Sequence, residues 1–285
     1  MMISGKSVVT AVIGGNISGS LSPVIHNLWY EKADLDGVYI PLQTTEEDFH
    51  SAATGLFQSG VKGMNVTVPL KEEAFKFADK LTAEAKKAEA VNCLYLDEDN
   101  NIVGHNTDGI GFASSVIALK HNFDFATANI LVIGAGGAAS GIISGLIDLG
   151  AKNFMILNRT LSKAENLVEQ FSSSDIQLDA CHNPNQLISG YDLIINTTTL
   201  KSIIPDGLND LPVSILQKSD LVVDINYGFA PNEFLDRATD YDCLVCDGIE
   251  MLIQQARPSF ALFNQTDIPD VTNDLYDNLN KAMGL

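Results

Sequence analysis

Short apolar runs, many of them rich in β-branched residues, alternate with stretches of helical periodicity along this chain of 285 residues. Runs with the length of buried strands occur at 8–13, 130–133, 153–157, 192–195 and 221–225, and a further strand is expected at 90–94. Apolar residues at helical spacing lie between several of them, as at 110–120 and 161–171. This alternation of strand and helix predicts an α/β protein in which helices cover a largely parallel sheet.

The stretch 129–146 reads NILVIGAGGAASGIISGL and combines a strand, a glycine turn and a helix. The spacing Gly134-x-Gly136-x-x-Ala139 is the fingerprint that sets a helix N-terminus against a pyrophosphate. A tight turn without ligand would give the same spacing, but the strand at 153–157 supplies the βαβ context that the fingerprint requires. The turn positions predicted to bind a dinucleotide are Gly134, Ala135, Gly136, Gly137 and Ala138.

The residues after the second strand of that unit indicate which dinucleotide it binds. An NAD site carries Asp or Glu there, whereas this chain reads Asn158-Arg159-Thr160, with Lys163 following. A cation suits the 2′-phosphate of NADP, although a surface arginine with Thr160 as a helix cap explains the same residues. The segment 196–199 ends a later strand on the side expected to face the cofactor, where turn chemistry alone would also use it.

Two serines follow the first strand, in the segment GSLSP at 19–23. Ser22 is placed as an N-cap with Pro23 at the first helical position, an ordinary helix start. Ser20 and Ser22 also put two hydroxyls beside free N–H groups, which can hold a carboxylate without a full positive charge. On the residues alone the capping interpretation is favoured.

Segment 63–71, GMNVTVPLK, alternates polar and apolar positions and predicts a strand that Pro69 ends. Lys71 follows at its carboxyl end, where open α/β sheets bind ligands, although a helix-surface lysine is the plain alternative. Asp108 lies in a similar position in the run GHNTDG, before the helix at 110–120, where Thr107 or Asp108 could simply cap the helix. Together Lys71 and Asp108 are the candidates for a proton-transfer pair, and His105 is interpreted as a bystander.

The doubly wound part of the chain is predicted to extend over 109–247, with closing helices at 248–263 and 270–283. If the last helix returns to the first domain, that domain is discontinuous. The predicted fold is therefore α/β with two domains: a discontinuous N-terminal α/β substrate domain, 1–108 plus 248–285, and a Rossmann-like dinucleotide-binding domain, 109–247. A ligand cleft is expected between them.

Composition narrows the possible partners and the compartment. The net charge of −19 argues against nucleic acid and anionic membrane surfaces, and gives the cations Arg159 and Lys163 more weight as anion-binding residues. No apolar stretch is long enough to span a membrane and no signal peptide is evident, which predicts a cytoplasmic protein. The four cysteines do not form a disulfide framework, and Cys243-x-x-Cys246 is interpreted as two half-buried strand residues. The histidines show no metal-ligand spacing, so no metal site is predicted.

An ordered set of motifs extends over essentially the whole length: GSLSP, NVTVPLK, AVNCL, GHNTDGIGF, GAGGAAS, NRT and GIEMLIQQA. With this set the chain resembles the shikimate dehydrogenase family, whose members reduce 3-dehydroshikimate with NADPH. The resemblance implies catalytic roles for Lys71 and Asp108 and favours the carboxylate-binding interpretation of the two serines over capping. The substrate contacts that it implies are Ser20, Ser22, Thr67, Asn92, Tyr227 and Gln255. The implied adenosine-phosphate patch is Asn158, Arg159, Thr160 and Lys163, with further cofactor contacts from Thr197, Ile225 and Gly248.

The chain departs from the family pattern at several positions. Gly19 stands where the family usually has histidine, and segment 196–202 reads NTTTLKS instead of the usual NATSxGM-like sequence. Gly228-Phe229 replaces the Asn-Pro that usually follows the tyrosine, and Glu250 replaces a common glycine. Glu250 could weaken cofactor binding or could point away from it.

The resemblance implies a small-molecule substrate, shikimate or 3-dehydroshikimate, and a monomer or homodimer without nucleic-acid or membrane partners. Two alternatives stay open at this stage. One is a quinate/shikimate dehydrogenase with relaxed substrate or cofactor choice, against whose use of NAD Arg159 speaks. The other is a shikimate-binding homologue without catalytic activity, which the altered threonine segment and Glu250 suggest and which retention of Lys71 and Asp108 disfavours.

Overall fold

The computed structural model describes residues 3–188, 190–198, 211–217, 219–228 and 232–284. They form two compact units. Unit 1 comprises the chain up to Gly111 together with the chain from Leu252 onward, and unit 2 comprises Phe112–Met251. The predicted α/β class with two domains is confirmed, whereas the assignment of one domain to substrate and the other to cofactor stays a prediction.

Unit 1 is built on a six-stranded mixed sheet in the order β2-β1-β3-β5-β6-β4. Its strands are β1 (Val8–Gly14), β2 (Gly37–Gln43), β3 (Gly63–Val66), β4 (Lys80–Leu81), β5 (Cys93–Leu96) and β6 (Ile102–His105). Strand β1 pairs in parallel with β2 and β3, while β5 is antiparallel to both of its neighbours. Because β5 runs in the opposite direction, its first residues lie at the same sheet edge as the last residues of β1, β3 and β6.

The helices of the first part of the chain are α1 (Ser22–Lys32), α2 (Phe49–Gln58), α3 (Lys71–Phe77), α4 (Ala83–Ala88) and α5 (Asp108–Leu119). Three of them, α1, α3 and α5, begin directly after a strand or a short loop at the sheet edge just described. Helix N-termini with free N–H groups therefore collect at that edge.

Two predicted elements of unit 1 are wrong in extent. The strand expected through Val68 ends at Val66. Val68, which the alternating pattern assigns to the apolar face, is 66% exposed. The strand expected at 90–94 is Cys93–Leu96, because residues 90–92 instead make single bonds that join separate elements. The amide of Val91 donates to the Lys71 carbonyl, and that of Asn92 donates to the His105 carbonyl.

Unit 2 contains six parallel strands in the order β12-β11-β10-β7-β8-β9. They are β7 (Asn129–Ile133), β8 (Asn153–Leu157), β9 (Gln177–Cys181), β10 (Leu193–Asn196), β11 (Leu221–Asp224) and β12 (Leu244–Cys246). The helices between them are α6 (Gly137–Asp148), α7 (Leu161–Phe171), α8 (Val213–Leu216) and α9 (Glu233–Thr239). Successive strands are added on one side of β7 as far as β9 and on its other side from β10 onward. The end of β7 is therefore the switch point where doubly wound sheets bind ligands.

The last two helices, α10 (Gly248–Asn264) and α11 (Asn273–Met283), carry the chain back to unit 1. The Ser259 hydroxyl accepts from the Asn65 side chain at 2.8 Å, and the Tyr30 hydroxyl donates to Asn264 at 3.0 Å. On the surface, the Lys32 ammonium lies 2.6 Å from the Asp274 carboxylate. Unit 1 therefore combines residues from the first and the last parts of the sequence.

The parallel sheet of unit 2 is covered on both faces, which explains why its central strands read as continuous apolar runs. In unit 2, Ile130, Val132 and Ile156 pack in one cluster, and Leu131, Ile133 and Leu157 pack in another. The two sets alternate along β7 and β8, as the side chains of a strand must, so one set lies on each face of the sheet.

Candidate active site

The sheet edge of unit 1 at which β1, β3 and β6 end is the candidate ligand-binding edge. It carries most of the side chains singled out in the sequence. Gly14 ends β1 and Gly15 follows it, Thr67 and Lys71 follow β3, and Asp108 follows β6. A side chain at Gly14 would collide with Thr67, whose Cγ2 lies 2.4 Å from an ideal Cβ built there. The two glycines therefore let the chain after β1 lie directly against the NVTVP segment.

Lys71 and Asp108 form the central contact of this edge. The Lys71 ammonium nitrogen lies 2.5 Å from Asp108 Oδ2, and the two side chains are only 11% and 5% exposed. Lys71 is the first residue of α3 and Asp108 the first of α5, so each comes from a helix start. The interpretation of Lys71 as a helix-surface lysine fails because, although it is helical, its side chain is nearly buried against a carboxylate.

Asn92 links Asp108 to the neighbouring residues. Its side-chain nitrogen donates to Asp108 Oδ1 at 2.9 Å and to the Thr107 hydroxyl at 2.9 Å, while its oxygen accepts from the Thr107 amide at 2.8 Å. Gln255 Oε1 lies 3.4 Å from both the Asn92 nitrogen and the Thr107 hydroxyl. One oxygen of Asp108 is thus bonded to a neutral amide and the other to the ammonium of Lys71.

Glycine at position 111 is what allows Gln255 to come this close. An ideal Cβ on Gly111 would lie 2.6 Å from Gln255 Cβ and 2.8 Å from its backbone nitrogen. The first turn of α5 therefore lies directly against the backbone of α10 at Gln255. This contact lets the predicted substrate residue Gln255 reach the Asn92 side chain.

Asn106 bonds the first turn of α5, for which Thr107 or Asp108 was the alternative candidate as the cap. Asn106 Oδ1 accepts from the Asp108 amide at 3.0 Å, and its nitrogen donates to the Ala90 carbonyl at 2.9 Å. The Thr107 hydroxyl instead contacts Asn92 and Gln255. The sequence signal available for Asn106 was its residue type two positions before the helix, where asparagine commonly bonds to the backbone.

A second buried amide, Asn65, lies behind Asn92 and was not predicted as a site residue. It accepts from the Tyr39 hydroxyl at 2.8 Å and donates to Ser259 at 2.8 Å and to the Asn92 carbonyl at 3.2 Å. The polar side of the GMNVTVPLK pattern was its only signal. The Tyr39 ring in turn stacks on His26 with ring centroids 3.9 Å apart.

His26 is fully buried and neither of its ring nitrogens has a hydrogen-bond partner. Burial lowers its pKa to about 3 because a charged imidazolium would lose its hydration. His105, the rival base, is largely buried with Nδ1 2.9 Å from the Thr82 hydroxyl. Burial lowers the pKa of His105, and the neighbouring Glu84 carboxylate opposes that effect.

The two serines lie in and before the first turn of α1. Ser22 is not the N-cap that its position suggested: it is already helical and buried, and Leu21 precedes the helix. Its amide lies 3.4 Å from the Ser20 hydroxyl, so Ser20 is the residue whose side chain faces the helix start. The capping role suggested for Ser22 is therefore wrong, because no side chain caps the N-cap position of α1, and the carboxylate contact of the two serines stays a prediction.

The glycine turn of unit 2 has the geometry that the fingerprint requires. Gly134 has a φ of +114°, and an ideal Cβ there would lie 2.3 Å from the Thr197 hydroxyl. Gly136 precedes α6 and has nothing within 4 Å of an ideal Cβ, so its backbone faces open space at the helix N-terminus. A bulky anion can approach the first-turn N–H groups at this point, next to the half-buried Ala135, Gly137 and Ala138.

The predicted adenosine-phosphate patch follows β8 on the surface of unit 2. Arg159 and Lys163 are both exposed, and within the described chain no ion pair engages either of them. Thr160 occupies the N-cap position of α7, but its side chain makes no capping bond. Asn158 fixes the turn by donating from its side chain to the Thr160 carbonyl at 2.8 Å.

The remaining predicted cofactor residues lie after β10, β11 and β12, at the same edge. The Thr197 amide and hydroxyl both donate to the Ile133 carbonyl, at 2.8 and 2.9 Å. Gly248 packs on the Ile225 carbonyl, which would lie 2.0 Å from an ideal Cβ. Tyr227 is half-buried in unit 2, whereas residues 199–202 and Phe229 lie outside the described part of the chain.

Glu250 lies in the first turn of α10, close to Asp247. The pKa of Asp247 is raised, chiefly by burial and then by the charges of Asp224 and Glu250. All four cysteines are free thiols, and Cys246 ends β12 with Cys243 one residue before that strand. Over the described residues no helix is long and apolar enough to cross a membrane.

Comparison with known proteins yields two adjacent family matches. Residues 12–94 match the shikimate dehydrogenase substrate binding domain, and residues 117–227 match shikimate / quinate 5-dehydrogenase. A shikimate dehydrogenase (NADP(+)) of Caulobacter vibrioides is 34% identical over 271 residues, which cover 94% of each chain. One of Acinetobacter baumannii is 39% identical over 256 residues, covering 89% of this chain and 94% of that protein.

The crystal structure of shikimate dehydrogenase from Aquifex aeolicus superimposes with a TM-score of 0.83 at 31% identity, covering 99% of both chains. The similarity thus extends over both units. The chain belongs to the shikimate dehydrogenase family.

Proposed function

We propose that this protein catalyses the reversible reduction of 3-dehydroshikimate to shikimate with NADPH, in aromatic amino-acid biosynthesis. The observation that carries the proposal is the buried Lys71–Asp108 contact at the ligand-binding edge of unit 1, in a chain of this family. A bare lysine or aspartate would be unremarkable at such an edge. A nearly buried pair whose carboxylate also contacts Asn92 is suited to holding and moving a proton.

Lys71 and Asp108 have distinct tasks in the proposed mechanism. The ammonium of Lys71 has three N–H donors, of which one is directed at Asp108 Oδ2. The others can donate to the ketone oxygen of the substrate, stabilise the charge that develops there, and supply its proton. Asp108 orients the lysine, while Asn92, itself bonded to Thr107, holds Asp108 in place.

The remaining unit 1 residues are proposed to bind the rest of the substrate. The hydroxyls of Ser20 and Ser22 hold its carboxylate, and Thr67, Asn92 and Gln255 contact its ring hydroxyls. Tyr227 is kept as a further proposed substrate contact. Neutral hydroxyl and amide groups suit this task because they orient the ring without placing a second cation beside the Lys71 ammonium.

The residues of unit 2 fit NADPH, which supplies the hydride for the carbonyl carbon when it is bound. The exposed backbone at Gly136 and the N-terminus of α6 provide donors for a pyrophosphate. Arg159 and Lys163, exposed and outside any ion pair of the described chain, provide cations for a 2′-phosphate, helped by Asn158 and Thr160. Thr197, Ile225 and Gly248 line the adjoining strand ends.

The test is a spectrophotometric assay of NADP reduction with shikimate, run in parallel with quinate and with NAD. We expect turnover with shikimate and NADP, and at least about tenfold lower kcat/KM with NAD because Arg159 would lose its partner. Comparable efficiency with quinate or NAD would indicate the relaxed enzyme. Tight shikimate binding in calorimetry without any turnover would show a binding protein and overturn the proposal.

We further propose a cytoplasmic monomer or homodimer whose ligands are shikimate or 3-dehydroshikimate and NADP(H). Light scattering on the purified chain measures the mass directly, and a larger assembly would contradict the proposal.

A further inference from the structure

A buried carboxylate in unit 2 stands apart from the residues assigned so far. Asp224 is the last residue of β11 and is 0% exposed. Among the described residues, no lysine, arginine or histidine forms an ion pair with it. A carboxylate fully removed from water needs hydrogen-bond donors in place of a counter-ion.

Three asparagines supply those donors. Asp224 Oδ1 accepts from the Asn196 side chain at 3.0 Å and from the Asn226 amide and side chain at 3.0 and 2.6 Å. Asp224 Oδ2 accepts from the Asn232 side chain at 3.0 Å. Four N–H donors thus converge on the carboxylate of Asp224. An asparagine at this position could not replace it, because its side-chain nitrogen would donate where Asp224 accepts at both oxygens.

The donors connect this carboxylate to the turn after β10. Asn196 accepts from the amide and hydroxyl of Thr198 at 3.1 and 2.8 Å. Asn226 donates to the Thr198 carbonyl at 2.6 Å, so Asn226 and Asn196 hold the turn from two sides. Thr197, between them, is the residue whose hydroxyl lies where a side chain at Gly134 would be.

The same network connects to the loop after β11. Asn226 accepts from the Gly248 amide at 2.9 Å through its backbone carbonyl, and Gly248 lies against the Ile225 carbonyl. Thr197, Ile225 and Gly248 are the three cofactor contacts proposed for this side of the sheet. All three therefore depend on backbone segments that converge on Asp224.

We infer that Asp224 is a positioning residue for the cofactor: its buried carboxylate fixes the strand ends of β10 and β11 against which NADPH binds. The inference rests on the proposed function, since it needs a dinucleotide site in unit 2. Asp224 touches no reacting atom. It acts through Asn196 and Asn226 on the position of Thr197 and Ile225.

The experiment compares Asp224→Asn with a matched variant, Asp192→Asn. Asp192 lies at the opposite end of β10, where its carboxylate accepts from the Asn129 amide at 2.8 Å. We expect Asp224→Asn to raise the Kd of NADPH, measured by its fluorescence, by about tenfold or more. The Kd of shikimate in calorimetry should stay within twofold, and Asp192→Asn should leave both affinities unchanged.

A further signature separates this role from that of Arg159. In the strand order, β11 and β10 lie on one side of β7 and β8 lies on the other. Loss of Asp224 should therefore weaken NADPH and NADH by the same factor, whereas a variant of Arg159 should weaken NADPH alone. An Asp224→Asn protein that discriminates between the two cofactors would contradict the inference.

Asn226→Ala provides the second variant should Asp224→Asn fail to fold, as near-ultraviolet circular dichroism would show. It removes the side-chain bonds to Thr198 and Asp224 but leaves the buried carboxylate with the backbone amide of residue 226 and with Asn196 and Asn232. We expect the same selective loss of dinucleotide affinity. Unchanged NADPH affinity in a folded variant, or equal loss of shikimate affinity, would overturn the inference. Wild-type protein that binds no NADPH would instead refute the proposed function.

Discussion

The candidate site of unit 1 is built mainly from side chains, whereas that of unit 2 is built mainly from backbone. In unit 1 the Lys71–Asp108 pair is surrounded by side chains, with Asn92, Thr107 and Gln255 each bonded to another side chain. In unit 2 the corresponding edge is shaped by backbone, through the glycine turn and the free amides of α6. A site of side chains depends on each residue type, whereas a site of backbone depends on the absence of side chains.

The strongest test of the side-chain site is Lys71→Ala. Without its acid group, turnover should fall by on the order of 100-fold or more. Fluorescence titration should find the NADPH affinity unchanged, since Lys71 is assigned to unit 1 alone. The matched control is Lys76→Ala, an exposed lysine on the same helix, paired with Glu73. Full activity in the Lys71 variant, or equal loss in the control, would remove Lys71 from the mechanism.

Two glycine substitutions test the backbone site. Gly134→Ala introduces a Cβ at a φ of +114° and 2.3 Å from the Thr197 hydroxyl, and should lower the free energy of unfolding by about 1–3 kcal/mol. Gly136→Ala meets no atom within 4 Å and should leave stability unchanged. It should instead raise the Kd of NADPH by about tenfold, because the methyl group occupies the space above the helix amides.

Denaturant unfolding and fluorescence titration of both variants separate the two effects. The expected result is one variant that loses stability and one that loses affinity. A Gly136→Ala protein with wild-type NADPH affinity would show that the open space beside this glycine is not used by the cofactor.

The pH dependence of stability should arise in unit 1, at His26. Its folded-state pKa of about 3 lies below the ordinary value of 6.5, so the unfolded chain binds the proton more tightly. Its contribution is complete above pH 6.5 and is lost as the pH falls toward 3. Between pH 7 and pH 5 this linkage should cost about 2 kcal/mol of unfolding free energy.

Urea unfolding of His26→Leu at both pH values checks this expectation. The variant should lose about that part of the pH dependence because leucine cannot bind a proton. His121→Leu, at an exposed histidine, is the matched control and should keep the wild-type dependence. An unchanged slope in the His26 variant would show that another group controls acid stability.

The smallest expected effect is that of Arg159→Ser on cofactor choice. The Kd of NADPH should rise by up to about tenfold, since an exposed charge-assisted contact is lost, while that of NADH stays constant. Lys152→Ser is the control, because Lys152 is exposed at the opposite end of the same strand. Parallel weakening of both cofactors would assign Arg159 to a general role.

Several elements of unit 2 follow closely from the sequence, and the strand at 153–157 and the helix at 161–171 match the structure residue for residue, whereas β9, α8 and α9 were not predicted. Buried parallel strands and glycine turns leave strong local signals. The parts of unit 1 that were missed depend on distant partners. The strand expected at 90–94 starts late because Val91 and Asn92 bond to Lys71 and His105, a contact that no local pattern contains.

The candidate site shows the same division. The glycine turn was recognisable from its spacing within a βαβ unit, whereas nothing in the sequence showed that Lys71 and Asp108, a candidate pair at two strand ends, come into contact. Their contact joins residues 37 positions apart. Asn65 and Asn106 were missed because a buried amide that bonds to the backbone has the same residue type as one in a surface turn.

The return of α10 to unit 1 affects how the protein is made in the cell. The Asn65–Ser259 and Tyr30–Asn264 bonds join residues 194 and 234 positions apart, so they cannot form until most of the chain has left the ribosome. Unit 2, a continuous segment, can fold first. Until α10 emerges, Asn65 and Tyr30 lack these partners, and the candidate active site of unit 1 lacks Gln255.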